Sequence, residues 1–166
     1  MEKKEQCSEE CLEKLKLDYA KFQEKYNLPT FEKLSEDFEI EKLIEKESIF
    51  LLKDISKVIF EKIGFYLRML ENLVNPSGHS MSIFLILKNL NEDDKEEINK
   101  IYRRLSKIEL KTMKIDLVHD EKKEAEFIKE TYNEWNEIKL QLYKLTEKFE
   151  KGFEENNKPA KNDYFG

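Results

Sequence analysis

The stretch "SIFLLKDISKVIFEKIGFYLRMLENLV", Ser48 to Val74, limits the fold of this chain more than any other. On a wheel of about 100° per residue, Lys53, Asp54, Lys57, Glu61, Arg68, Glu71 and Asn72 share one arc about 100° wide. Nearly everything else in the stretch is apolar, with Lys62 the main exception. A helix with so narrow a polar stripe has to be covered from several sides, which makes it the centre of a helical protein. At 1.5 Å per residue it would run for about 39 Å, but its charges interrupt every apolar run and argue against a membrane span.

The flanking segments supply helices to cover it. Leu12, Leu15, Tyr19, Phe22 and Tyr26 recur at spacings of three and four, predicting an amphipathic helix from Ser8, its N-cap, to Tyr26. "NLP", Asn27 to Pro29, ends that helix because the residue before proline is driven out of the α region. Thr30 then caps a weaker stretch to Glu47, where one or two short helices are expected with a break near Ser35 to Glu39. "NPSGHS", Asn75 to Ser80, is the clearest loop, and a short apolar helix over Met81 to Leu90 should follow it.

Asn91 caps the next helix, whose acidic first turn, Glu92 to Asp94, suits the positive end of the helix dipole. That helix is predicted to run to about Met113 with Ile98, Ile101, Tyr102, Leu105 and Ile108 inward. The alternation over Ile115 to Val118 suggests an extended connection, and Asp120 is placed to cap the last helix. There Ile128, Trp135, Leu142 and Phe149 recur every seven residues, with Ile138 and Leu145 on a second seam, so helix is predicted over Glu121 to Lys151 with Gly152 as its stop.

The expected fold is therefore all-α, an antiparallel bundle of four or five main helices plus short ones, in a single domain over residues 1–153. A polar tail, residues 154–166, completes the chain. Charged residues at 40% with only four Gly and three Pro fit long helices better than a turn-rich β protein. The run "YNLPTFEKLSEDFEIEKL", the segment "EKKEAEFIKE" and the final "YFG" resemble those of small, uncharacterised all-helical archaeal proteins. The resemblance implies a helical fold over most of the chain and carries no activity, substrate or site.

Few chemistries fit the residues present. Glu-x-x-His, the helical di-iron signature, does not occur, and Cys7 and Cys11 have no third thiol for a cluster or zinc site. His79 and His119 fall in polar loops and read as solvated loop residues. Arg68 and His79 are too far apart for an Arg/His nuclease pair, and no phosphate-binding glycine loop or nucleophile elbow is present. Neither an enzyme nor a bound cofactor or metal is expected. The first residues contain no apolar core of a signal peptide, so a cytoplasmic location is expected.

Two features point to binding. Lys100, Arg103, Arg104, Lys107, Lys111 and Lys114 fall within about 100° of one helix face, which reads as an exposed cationic stripe roughly opposite the apolar arc. Such a row can neutralise successive phosphates, although the net charge of −6 gives no general attraction to nucleic acid. Glu109 stands on the other side, at the edge of the apolar arc. The second feature is the aromatic pair Tyr164 and Phe165, beyond a polar spacer, which is expected to dock on a groove of its own bundle or in a partner's pocket. The expected role is a non-enzymatic interaction or scaffold module acting on a protein partner or as a homodimer. A nucleic-acid-associated protein is the alternative, and an unrecognised enzyme comes third.

Overall fold

The computed structural model describes residues 2–45, 48–75 and 81–156, with side chains in the first helix from Glu10 onward. Its elements are α1 (Glu2–Tyr26), α2 (Phe31–Phe38), a 3-10 helix (Ile40–Glu45), α3 (Leu51–Val74), α4 (Met81–Lys88), α5 (Glu92–Asp116) and α6 (Glu121–Asn156). No strand occurs among the described residues. The protein is all-α, with four long helices and two short ones among those residues.

α3 is the centre, as its narrow polar stripe requires. Leu52, Ile55, Ile59, Ile63 and Leu70 are fully buried along it, and it meets α5 most extensively and α6 next. Its first turn begins at Leu51 rather than Ser48. Ser48 acts just outside the helix, its hydroxyl donating to Asp54 at 2.5 Å and accepting from the Phe50 amide at 3.2 Å. α5 runs antiparallel to α3, since Lys53 near the start of α3 reaches Asp116 at the end of α5.

α6 lies antiparallel to α5. Lys148 pairs with Asp94, Glu137 with Arg104 and Glu130 with Lys111, so partner numbers fall along α6 as they rise along α5. Trp135 sits at the middle of the bundle, 5.7 Å from the ring of Phe38 on α2 and 5.3 Å from that of Tyr66 on α3. Such tilted pairs add about 0.5–1.5 kcal/mol beyond the area they bury.

Two corners redirect the N-terminal third. Asn27, at φ 51°, follows α1, and Glu39, at φ 60°, ends α2; both occupy the left-handed region. The Tyr19 hydroxyl donates to the Pro29 carbonyl at 2.7 Å across the first corner, and its ring meets Phe31 edge-on. Burial pushes the Tyr19 phenol far above its ordinary value, so it remains a hydrogen-bond donor. At the second corner, Lys42 and then Lys62 hold the Glu39 carboxyl below the usual range. α1 meets chiefly the 3-10 helix, α6 and α2, so its seam covers the N-terminal corner more than α3 itself.

Three further helix boundaries differ from the sequence expectation. α1 begins at Glu2, so Ser8 lies inside it and is no N-cap. α5 continues through Ile115 and Asp116, because Ile115 follows Ile108 and Thr112 on the inner face and packs against the core. A four-residue alternation fits that helical register as well as a strand. α6 continues through Gly152 to Asn156, since one glycine in a long helix costs only about 1 kcal/mol and does not stop it. Residues 154–156 therefore belong to the bundle helix and not to a tail.

Other expectations hold. Asn91 and Asp94 form a reciprocal capping box, with the Asp94 amide donating to Asn91 Oδ1 at 2.8 Å and the Asn91 amide to Asp94 Oδ2 at 3.2 Å. Asp120 caps α6 by accepting from the amides of Lys122 and Lys123 at 3.1 and 3.2 Å. Thr30 accepts from the Lys33 amide at 3.4 Å.

Candidate interaction surface

The cationic stripe on α5 is divided. Ile98, Ile101, Leu105, Ile108 and Thr112 turn into the core, and on the wheel the stripe's centre lies about 130° from that direction. Its Arg104 and Lys111 edge therefore faces α6, while Arg103, Lys107 and Lys114 stand roughly opposite the apolar arc, about 140–180° from it. Arg104 is held by Glu134, by Glu137 at 2.7 Å and by Gln141 at 3.1 Å. Glu134, then Glu137, raise the Arg104 guanidinium above its already high pKa, against a smaller opposing effect of burial. Lys111 reaches Glu130 at 2.8 Å, and Lys100 reaches Glu96 in its own helix at 2.8 Å.

Arg103, Lys107 and Lys114 are exposed and form no ion pair among the described residues. The cleft between α5 and α6, about 500 Å³, is lined by Arg104, Lys107 and Lys111 on one wall and by Glu130, Glu134 and Glu137 on the other. Carboxylates thus stand where a phosphate backbone would have to lie.

Beside Arg103, Lys107 and Lys114, on the side away from α6, the exposed surface of α5 is apolar. Leu110 and Met113 are each 59% exposed and Leu117 is 84% exposed, at positions i, i+3 and i+7 of one ridge. Because α5 extends to Asp116, Leu117 and Val118 follow at its end, both exposed, and lead to His119. The His119 ring stacks on Phe50 with centroids 5.5 Å apart and planes 19° from parallel. Ile49, beside Phe50, is 89% exposed. The ridge therefore continues onto an apolar end of the bundle formed by the start of α3 and the α5–α6 turn.

Beneath that end lies a charged base. Lys53, largely covered, places Nζ 3.2 Å from Asp116 and 3.4 Å from His119 Nδ1. Glu124, buried in the first turn of α6, has its carboxyl pushed above the ordinary range by burial, while the Lys53 charge pulls it back. These groups hold the turn and the start of α3 together. Among the described residues, no group of three or more His, Cys, Asp or Glu side chains is placed to hold a metal ion. No helix among them is long and apolar enough to cross a membrane.

Of the site residues expected from sequence, all six α5 cations are on one helix, three of them engaged with carboxylates. Glu109 is half-buried on the α3 side of the ridge. Tyr164, Phe165, His79 and most of the Asn75 to Ser80 loop lie outside the described residues. Leu110, Leu117, Ile49 and Phe50 were not singled out by the sequence. The signal for the two leucines was a second three-and-four spacing on α5, Leu110, Met113 and Leu117, out of phase with Ile101, Leu105 and Ile108. Comparison with protein-family profiles, with curated proteins and with solved structures finds no match to this chain.

Proposed function

We propose that this chain is a non-enzymatic helical interaction module that works by binding a protein partner or a further copy of itself. The observation that carries it is the apolar ridge Leu110, Met113 and Leu117, continuous with Val118, Phe50 and Ile49. Apolar side chains scattered singly over a surface need no explanation, whereas a contiguous exposed row rimmed by polar residues marks a contact site. Covering it would contribute about 25 cal/mol per Å² of apolar area. A nucleic-acid role fits less well, because three of the six cations are committed to carboxylates and a phosphate backbone would leave the ridge uncovered.

A photo-crosslinking amino acid at Leu117, compared with one at exposed Ala20 on α1, tests this reading in cells that make the protein. A discrete protein adduct from position 117 alone, lost on Met113→Asp, is expected. The same adduct pattern from both positions would refute the reading.

A further inference from the structure

The ridge has an asymmetric border, and the asymmetry identifies what fits it. Along its α6 side stand Arg103, Lys107 and Lys114, exposed and without an ion pair among the described residues. Along its α3 side stand Glu109 and Asp116, the latter already engaged by Lys53. The neighbouring α6 carboxylates Glu130, Glu134 and Glu137 are taken up by Lys111 and Arg104, so they do not cancel the three remaining cations. On a chain of net charge −6, this is a local positive edge laid beside an apolar row.

We infer that this face of α5 binds an acidic amphipathic helix of a partner protein. Its apolar residues, three or four apart, seat along Leu110, Met113 and Leu117, and its carboxylates meet Arg103, Lys107 and Lys114. The inference rests on the interaction reading above and narrows it to one kind of partner. The face from Arg103 to Leu117 is about 21 Å long at 1.5 Å per residue, which matches about four turns of a docked helix. A helix axis 8–10 Å away touches one ridge and its borders.

Other occupants fit less well. A flat anionic membrane approaching α5 would also meet the exposed carboxylates along α6. In the parallel arrangement a second copy would offer that edge Glu109 and Asp116, the latter already engaged by Lys53, and in the antiparallel one it would set each copy's Arg103, Lys107 and Lys114 close to their counterparts. Like charges so placed oppose association.

The test uses the full chain and a fluorescein-labelled helical peptide of about 20 residues, apolar at i, i+3 and i+7 with Glu on one border. Fluorescence anisotropy should show saturable binding. The triple variant Arg103→Glu, Lys107→Glu, Lys114→Glu should bind about tenfold more weakly, since three exposed pairs at about 0.2–1 kcal/mol each amount to roughly that factor. Leu110→Ser with Leu117→Ser should also weaken binding. All five positions are on the surface, and unchanged circular dichroism will show that the variants fold.

Equal binding of a peptide with Lys in place of each Glu overturns the inference. So does binding of vesicles of phosphatidylcholine with about one third phosphatidylserine, or of a single-stranded oligonucleotide, without binding of the acidic peptide. If the peptide fails while the Leu117 crosslink persists, the acidic helix is refuted and the interaction reading stands. If both fail, both fall.

Discussion

Replacing Arg104 with alanine removes three contacts between α5 and α6 in one change. The Arg104 side chain is 25% exposed, and its partners Glu134 and Glu137 are 39% and 73% exposed, so solvent screens both ion pairs, the second more than the first. Pairs of this kind contribute about 0.2–1 kcal/mol each, and the hydrogen bond to neutral Gln141 about 0.5–1.5 kcal/mol. The expected loss is therefore about 1–3 kcal/mol, which for a chain of this size lowers Tm by about 3–10 °C. Arg104→Lys should lose about half as much, because an ammonium cannot hold both carboxylates and the amide in one plane. Thermal unfolding followed by circular dichroism measures these shifts, and cycles with Glu134→Gln and Glu137→Gln divide them. The coupling to Glu134 should exceed that to Glu137. At about 1 M salt the loss should shrink as screening shortens to a few ångströms. A Tm within about one degree of the parent would show Arg104 to be a free surface cation and refute the division of the stripe.

Three further substitutions test other parts of the structure. Asn91→Ala, which breaks the α5 capping box, should cost about 1 kcal/mol in urea unfolding, and no change would mean the box is not formed in solution. Glu124→Gln addresses a carboxyl whose folded pKa is raised by burial, so its proton favours the folded state and stability falls as pH rises through that folded value. The variant should melt above the parent at pH 7 and converge with it below the ordinary value of 4.5; a gap that widens in acid would contradict this. Asp94 has the opposite sign: Lys148, foremost, holds its pKa below 3.8, so its contribution is present above that value and is lost on acidification through the lower folded value. Asp94→Asn should therefore flatten the acid limb of the Tm profile, and an unchanged limb would dismiss the pair.

The helices were legible because their apolar spacing, caps and breakers agree. Tyr26 before "NLP", Thr30, Asn91 and Asp120 all lie at the ends that local chemistry assigns them. Boundaries failed where a local cue met a longer register. Ile115 alternates like a strand residue but continues the inner face of α5, and Gly152 reads as a stop but sits in a 36-residue helix. The surface was the least legible part. Six cations on one arc announce a charged face, and the Lys100–Glu96 pair lies within α5 itself, yet whether the other five remain unpaired depends on the carboxylates that α6 brings alongside. Phe50 meets His119, the neighbour of Leu117 and Val118, only because α3 and α5 run antiparallel, which brings distant segments to one end.

The two lysines that α6 sends back across the bundle have a consequence for how the chain reaches this state. Lys139 pairs with Asp37 on α2 and Lys148 with Asp94 on α5, and both aspartates are buried. During synthesis, everything up to the end of α5 emerges before either lysine does. Until then each aspartate must stay in water or take up a proton, because an unpaired buried carboxylate is costly. α3 likewise has one side uncovered until α6 arrives. Assembly of everything before α6 is thus held open by two unmet charges and one bare helix face, and α6 closes all three positions together.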